Sequence, residues 1–81
     1  MRTFFENTAF VAAEMYRVEY HETMEQRDRD ARRHTLLMYL MQAVQESETR
    51  PGAMQTLDAE AQYNHIFQPG GRWEQMTQKG T

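Results

Sequence analysis

Apolar positions in this chain gather into blocks, and the two largest stand on either side of a charged waist. The first block runs from Phe4 to Tyr20. Placed on a helix at 100° per residue, it divides into two stripes. Phe4, Val11, Met15 and Val18 form one; Ala9, Ala13, Tyr16, Tyr20 and Met24 form the other. A helix apolar this far round its circumference is central in a bundle or buried on two sides. Asn7 or Thr8 is positioned to cap it, with Phe4 and Phe5 folding back as a hydrophobic staple.

The second block is Leu36-Leu37-Met38-Tyr39-Leu40-Met41, followed by Ala43 and Val44. Leu36, Leu37, Leu40 and Val44 share one broad face, while Met38 and Tyr39 lie away from it. Six consecutive apolar residues also suit a strand in isolation. The flanking segments Ala31-Arg32-Arg33 and Gln42-Ala43-Val44-Gln45-Glu46 are helix formers, so a helix is expected.

Between the blocks, residues 21–34 contain only Met24 and Ala31 as apolar positions. As a helix this stretch would span about 21 Å. Glu25 with Arg29 and Asp28 with Arg32 would support it as i,i+4 pairs. A straight helix, however, puts Glu22, Arg29 and Arg33 in line with the apolar stripes of both blocks. A turn near Arg27–Asp30, with Asp28 or Asp30 capping the second helix, lets the two blocks pack together. Burial of two apolar patches outweighs two surface ion pairs, so a helical hairpin is the favoured arrangement. The alternative is one long helix whose patches are covered by a second copy.

No glycine or proline interrupts the chain before Pro51-Gly52. A third helix near 56–67 follows, with Thr56 as its N-cap and Asp58 and Glu60 in its first turn. Met54, Leu57 and Ala61 lie on one side of it; Ala59, Tyr63, Ile66 and Phe67 lie on the other. Gln68-Pro69-Gly70-Gly71 ends it. Residues 72–81 are polar apart from Trp73 and Met76, and read as a tail pinned by the tryptophan. The expected fold is all-α: a single small three-helix domain over 1–81, with a helical hairpin 7–48, the third helix and a polar C-terminal tail.

Composition narrows the function classes. Eighty-one residues bury only roughly 60% of their unfolded surface, and a second copy or a partner often completes such a core. The absence of cysteine excludes disulfides and thiolate zinc sites. Met1-Arg2-Thr3-Phe4-Phe5 lacks the apolar run of a secretory leader, and no run of about 18 apolar residues occurs. No membrane span and a cytoplasmic location are therefore expected. A net charge of −3 speaks against a general polyanion binder. Eight of the nine basic residues are arginine, a bias that suits bidentate contacts but equally follows from genome composition.

Candidate chemistry is sparse. His21-Glu22-Thr23-Met24-Glu25 matches the start of the H-E-x-x-H zinc signature, but Glu25 replaces the second histidine. No acid is followed three positions later by histidine, as helical di-iron sites require. No nucleophile set and no Gly-rich phosphate loop before a helix occurs. No enzyme, metal or cofactor is expected. Arg27, Arg29, Arg32 and Arg33 form the densest basic cluster, weakened by the interleaved Asp28 and Asp30. Helices two and three loosely suggest a helix-turn-helix, but residues 54–67 offer no arginine or lysine for base readout. Tyr16, Tyr20, Tyr39 and Trp73, with seven methionines, are what protein interfaces favour.

The expected function is thus a non-enzymatic regulator, adaptor or inhibitor that binds another protein, with a homodimer among the options. Its contacts would come from an apolar helical face and from Arg27, Arg29, Arg32, Arg33, Tyr16, Tyr20, Tyr39 and Trp73. Small acidic proteins of this make-up are common among phage and mobile-element products. A nucleic-acid-associated regulator gripping phosphates through the arginine cluster is the second reading.

Overall fold

The architecture follows from a computed structural model that describes residues 2–49 and 57–78. Among the described residues four helices occur in chain order: α1 (Phe4–Tyr20), α2 (Gln26–Thr49), α3 (Ala59–Phe67) and α4 (Arg72–Gln78). No strand is present among the described residues, and no helix there is long and apolar enough to cross a membrane. The favoured hairpin holds: α1 and α2, joined by a short turn, pack against each other as antiparallel neighbours, and α3 packs against both. The body is 16 Å through its thinnest direction, which is two layers of helix.

α1 begins four residues earlier than the Asn7 cap implies. Thr3 is the N-cap, its hydroxyl accepting from the Glu6 N–H at 3.1 Å while the Glu6 carboxylate accepts from the Thr3 N–H at 3.1 Å. This capping box satisfies two free donors of the first turn, so Phe4 and Phe5 are helical rather than a staple. Asn7 is consequently inside the helix, on its buried face.

The turn occupies 21–25, not 27–30. Arg29, in the first turns of α2, explains the shift. Its guanidinium donates to the backbone carbonyls of Val18, Glu19 (3.0 Å), His21 (2.9 Å) and Met24 (3.1 Å). The last carbonyls of a helix have no intrahelical donor, and one planar fork of N–H groups here supplies several of them. Asp28, expected as a cap, sits in the first turn of α2, where the helix dipole favours an acid.

The core is a cluster of Val11 and Val18 from α1, Leu36 and Tyr39 from α2, and Leu57, Ala59 and Tyr63 around α3. Phe10, Met15, Met24, Leu40 and Phe67 pack against it. The inward face of α2 is therefore Leu36, Tyr39 and Ala43, rather than Leu36, Leu37, Leu40 and Val44. Tyr39 was expected away from the core and is buried in it, whereas Leu37 and Val44 are exposed. The cause is geometric: α2 is pressed from two directions, by α1 and by α3, and the residues between those directions are the ones buried.

Asp58, not Thr56, caps α3, accepting from the Ala61 N–H at 3.1 Å; Thr56 and Met54 lie outside the described residues. Arg2 pairs with Glu60 at 3.1 Å and Asp58 at 3.5 Å, tying the chain's start to that cap. After α3, Gly70 takes φ +73°, and a Cβ on Gly71 would meet the Gln68 carbonyl oxygen at 2.8 Å. That tight reversal starts α4 where a polar tail pinned by Trp73 was expected. Trp73 secures it, donating from Nε1 to Asp28 Oδ1 at 2.7 Å with its ring centroid 6.1 Å from Phe67.

Candidate functional site

Two surfaces stand out once the core is accounted for. One is a polar cleft where α1, α2 and α3 meet; the other is an uncovered apolar face of the hairpin.

The cleft, about 440 Å³, is lined by Glu14, Arg17, Arg32, Tyr63 and Phe67 with the chain that leaves α3. Glu14 is its centre. Arg17, one turn on, donates from Nε to Glu14 Oε1 at 2.9 Å, and the Tyr63 hydroxyl donates to Oε2 at 2.6 Å. Arg32 donates to the Tyr63 hydroxyl at 3.0 Å, lies 4.0 Å from the Glu14 carboxylate, and stacks on Phe67 at 4.6 Å. Burial pushes the Glu14 carboxyl up, but the bonds from Arg17 and Tyr63 and the charges of Arg17 and Arg32 outweigh it. The group is held below the usual carboxylate range. Burial and the bond to Glu14 push the Tyr63 hydroxyl up to about 12. Apart from Arg32 Nε, which is buried without a hydrogen-bond partner, the members of this network bond one another, and it reads as a polar clasp between α1 and α3.

Its pH dependence follows. Glu14 has a depressed pKa in the folded state, so its contribution is full above the unfolded value of about 4.3 and is lost as pH falls through the lower folded value. Tyr63 has a raised pKa, so its contribution is full below about 10 and is lost as pH rises towards 12. Urea titrations across pH should show stability declining on both limbs. Glu14→Gln is expected to flatten the acid limb and Tyr63→Phe the alkaline one; unchanged limbs would show that the clasp contributes nothing.

The second surface comes from the way α3 and α4 cover one side of the hairpin. They meet α1 at Asn7, Phe10 and Glu14, and α2 at Asp28 and Arg32. By helical periodicity, the side of each helix turned away from α3 and α4 carries Phe5 and Ala12 on α1 and Leu37, Leu40, Met41 and Val44 on α2. Phe5 is 80% exposed and Met41 62%, with Met38 at the margin also exposed. At the turn end of this face Arg33 crosses to Glu19 at 2.9 Å and also reaches Asp30 at 3.4 Å.

The residues singled out in the sequence separate into distinct groups. Arg29 is spent on the end of α1, Arg32 on Tyr63 and Phe67, and Arg33 on Glu19 and Asp30. Arg27 alone of the four is exposed without an ion pair among the described residues. Tyr16 and Tyr20 are exposed on the outer side of α1, their rings 4.7 Å apart. Tyr39 is in the core with its hydroxyl unpartnered among the described residues, and Trp73 is half-buried under its bond to Asp28. The eight residues do not converge on one site.

His21 and Glu25 flank the turn instead of sharing a helix, and among the described residues no three His, Asp or Glu side chains are placed to hold a metal ion. The apolar face was missed because Leu37 and Val44 were assigned to the core. The i, i+3, i+7 spacing of Leu36, Tyr39 and Ala43 was the available signal for the true inward face. No family model, characterised protein or solved structure matches this chain, so no relative's chemistry bears on it.

Proposed function

We propose that the chain is a non-enzymatic protein-binding module, a regulator, adaptor or inhibitor, that docks through the uncovered face of its α1–α2 hairpin. One observation carries this reading. The inward positions of α2 are filled by Leu36, Tyr39 and Ala43, yet Leu37, Met38, Met41 and Val44 remain exposed on the same helix. None of them belongs to the core cluster, and clustered exposed apolar residues of this kind mark interaction surfaces. A phosphate-gripping role draws less support, because Arg29, Arg32 and Arg33 already have acceptors or rings within the chain.

Met41→Asp is expected to leave the fold intact, since the side chain is exposed, and to abolish capture of the protein partner from a native lysate. Arg27→Ala should leave capture unchanged, as should raising salt from about 50 to 200 mM. Capture that survives Met41→Asp but vanishes with salt and with Arg27→Ala would identify nucleic acid as the partner instead.

A further inference from the structure

Resting on that reading, we propose that the occupant of the hairpin face is a second copy of this chain, its α2 packed antiparallel to the first about a two-fold axis near Leu40 and Met41. The spacing on α2 suits this pairing. His34, Leu37, Met41, Val44 and Glu48 recur at intervals of three and four, the seam of two helices crossing at about 20°. Leu40 lies beside the seam, against the core.

A two-fold axis requires one surface to complement itself. With the axis between Leu40 and Met41, Leu37 of each copy faces Val44 of the other, and Leu40 faces Met41. Arg33 and His34 of one copy then approach Glu48 of the other, while Arg33 keeps Glu19 and Asp30 beside it. A parallel pairing would instead stack Glu48 on Glu48 and Arg33 on Arg33. The antiparallel arrangement is the one that avoids like charges.

The area is sufficient for a specific but weak dimer. Phe5, Leu37, Met38, Met41 and Val44 expose between 39% and 80% of their surface. Covering them removes roughly 500 Å² from each copy, about 1,000 Å² for the pair, which is near the lower bound of a biological interface. Each monomer is two helix layers with one side covered by α3. Apposing the open sides makes the two hairpins a four-helix bundle, with the α3 helices outside.

Sedimentation equilibrium of the whole chain from about 1 to 500 µM tests this, because self-association is concentration-dependent. The weight-average mass is expected to rise from 9.7 kDa towards twice that value. Met41→Asp should weaken the dimer at least tenfold with an unchanged circular dichroism spectrum, and Leu37→Asp should repeat the effect. Under mild oxidation Met41→Cys should form an interchain disulfide and Val44→Cys should not, whereas a parallel pair would join both. A mass that stays at 9.7 kDa overturns the inference, as does a dimer indifferent to both aspartates or one in which both cysteines join. A monomer that still loses a different protein partner on Met41→Asp overturns the dimer alone. A monomer whose partner capture ignores Met41→Asp overturns the docking face as well.

Discussion

Replacing Asn7 by alanine should destabilise the chain by about 2–4 kcal/mol. Asn7 is 1% exposed and bridges two segments far apart in sequence. Its Nδ2 donates to the Leu57 carbonyl at 3.0 Å, and its Oδ1 accepts from the Ala59 N–H at 3.2 Å. Ala59 is the first residue of α3, where N–H groups lack intrahelical acceptors. Alanine would leave a buried donor and a buried acceptor unpaired, each costing about 1–3 kcal/mol, in addition to a small void. For a domain of this size the expected loss lowers Tm by roughly 10–20 °C. Urea unfolding measures it directly. Asn7→Asp should fall between the two, because it keeps the acceptor for Ala59 and loses the donor. A melting curve for Asn7→Ala within a degree or two of the parent would show that the start of α3 is held by other contacts.

The second large effect is Arg29→Ala, expected to cost about 1–3 kcal/mol and to loosen the turn at 21–25. Removing the guanidinium strips donors from the carbonyls of Val18, Glu19, His21 and Met24 together. Arg29→Lys should recover only part of the loss, since an ammonium cannot span carbonyls arranged for a planar fork. Amide hydrogen exchange in the last turn of α1 should quicken in Arg29→Ala while the middle of α2 stays protected. If exchange there is unchanged, the turn is set by apolar packing of Met24 alone. This result bears on function too. Any loss of partner binding in Arg29→Ala would follow from a disturbed hairpin, so Arg27 is the residue with which to probe a direct role for the arginine segment.

The helical content and the main breaks were legible in the sequence, because they depend on local preferences. The absence of glycine and proline before Pro51 and the run Gln68-Pro69-Gly70-Gly71 are properties of the residues themselves. The capping box was legible as well: Thr3-Phe4-Phe5-Glu6 has the required spacing, and the competing candidates Asn7 and Thr8 obscured it. The position of the turn was not. Residues 21–34 contain several acids able to cap a helix, and the choice among them rests on where Arg29 finds carbonyl partners across the turn. The short α4 was equally hidden, since its seven residues are too few to be helical alone and depend on Trp73 reaching Asp28 and Phe67.

The candidate site shows the same division. An apolar surplus in tyrosine and methionine was visible, and it suggested an interface. Which apolar residues remain outside was not visible, because α2 carries them nearly all the way round. Only the docking of α1 and α3 against α2 selects Leu36, Tyr39 and Ala43 for the interior and leaves Leu37, Met41 and Val44 on the surface. The arginines were likewise assigned by tertiary contacts: three of the four serve the hairpin and its clasp.

The sequence by itself therefore determined that the chain is helical, where its strongest breaks fall, and that two apolar blocks are separated by a charged segment, with a fold-back favoured over one long helix. Those outcomes follow from backbone entropy, steric exclusion and the gain from burying apolar surface, which act through neighbours in the chain. Tertiary structure alone decided the register of the turn, the buried place of Asn7, the burial of Tyr39 and the side of the hairpin left open. Each of these depends on which groups meet across 31 to 52 residues of sequence, or on how one guanidinium is shared among carbonyls. No local preference carries that information.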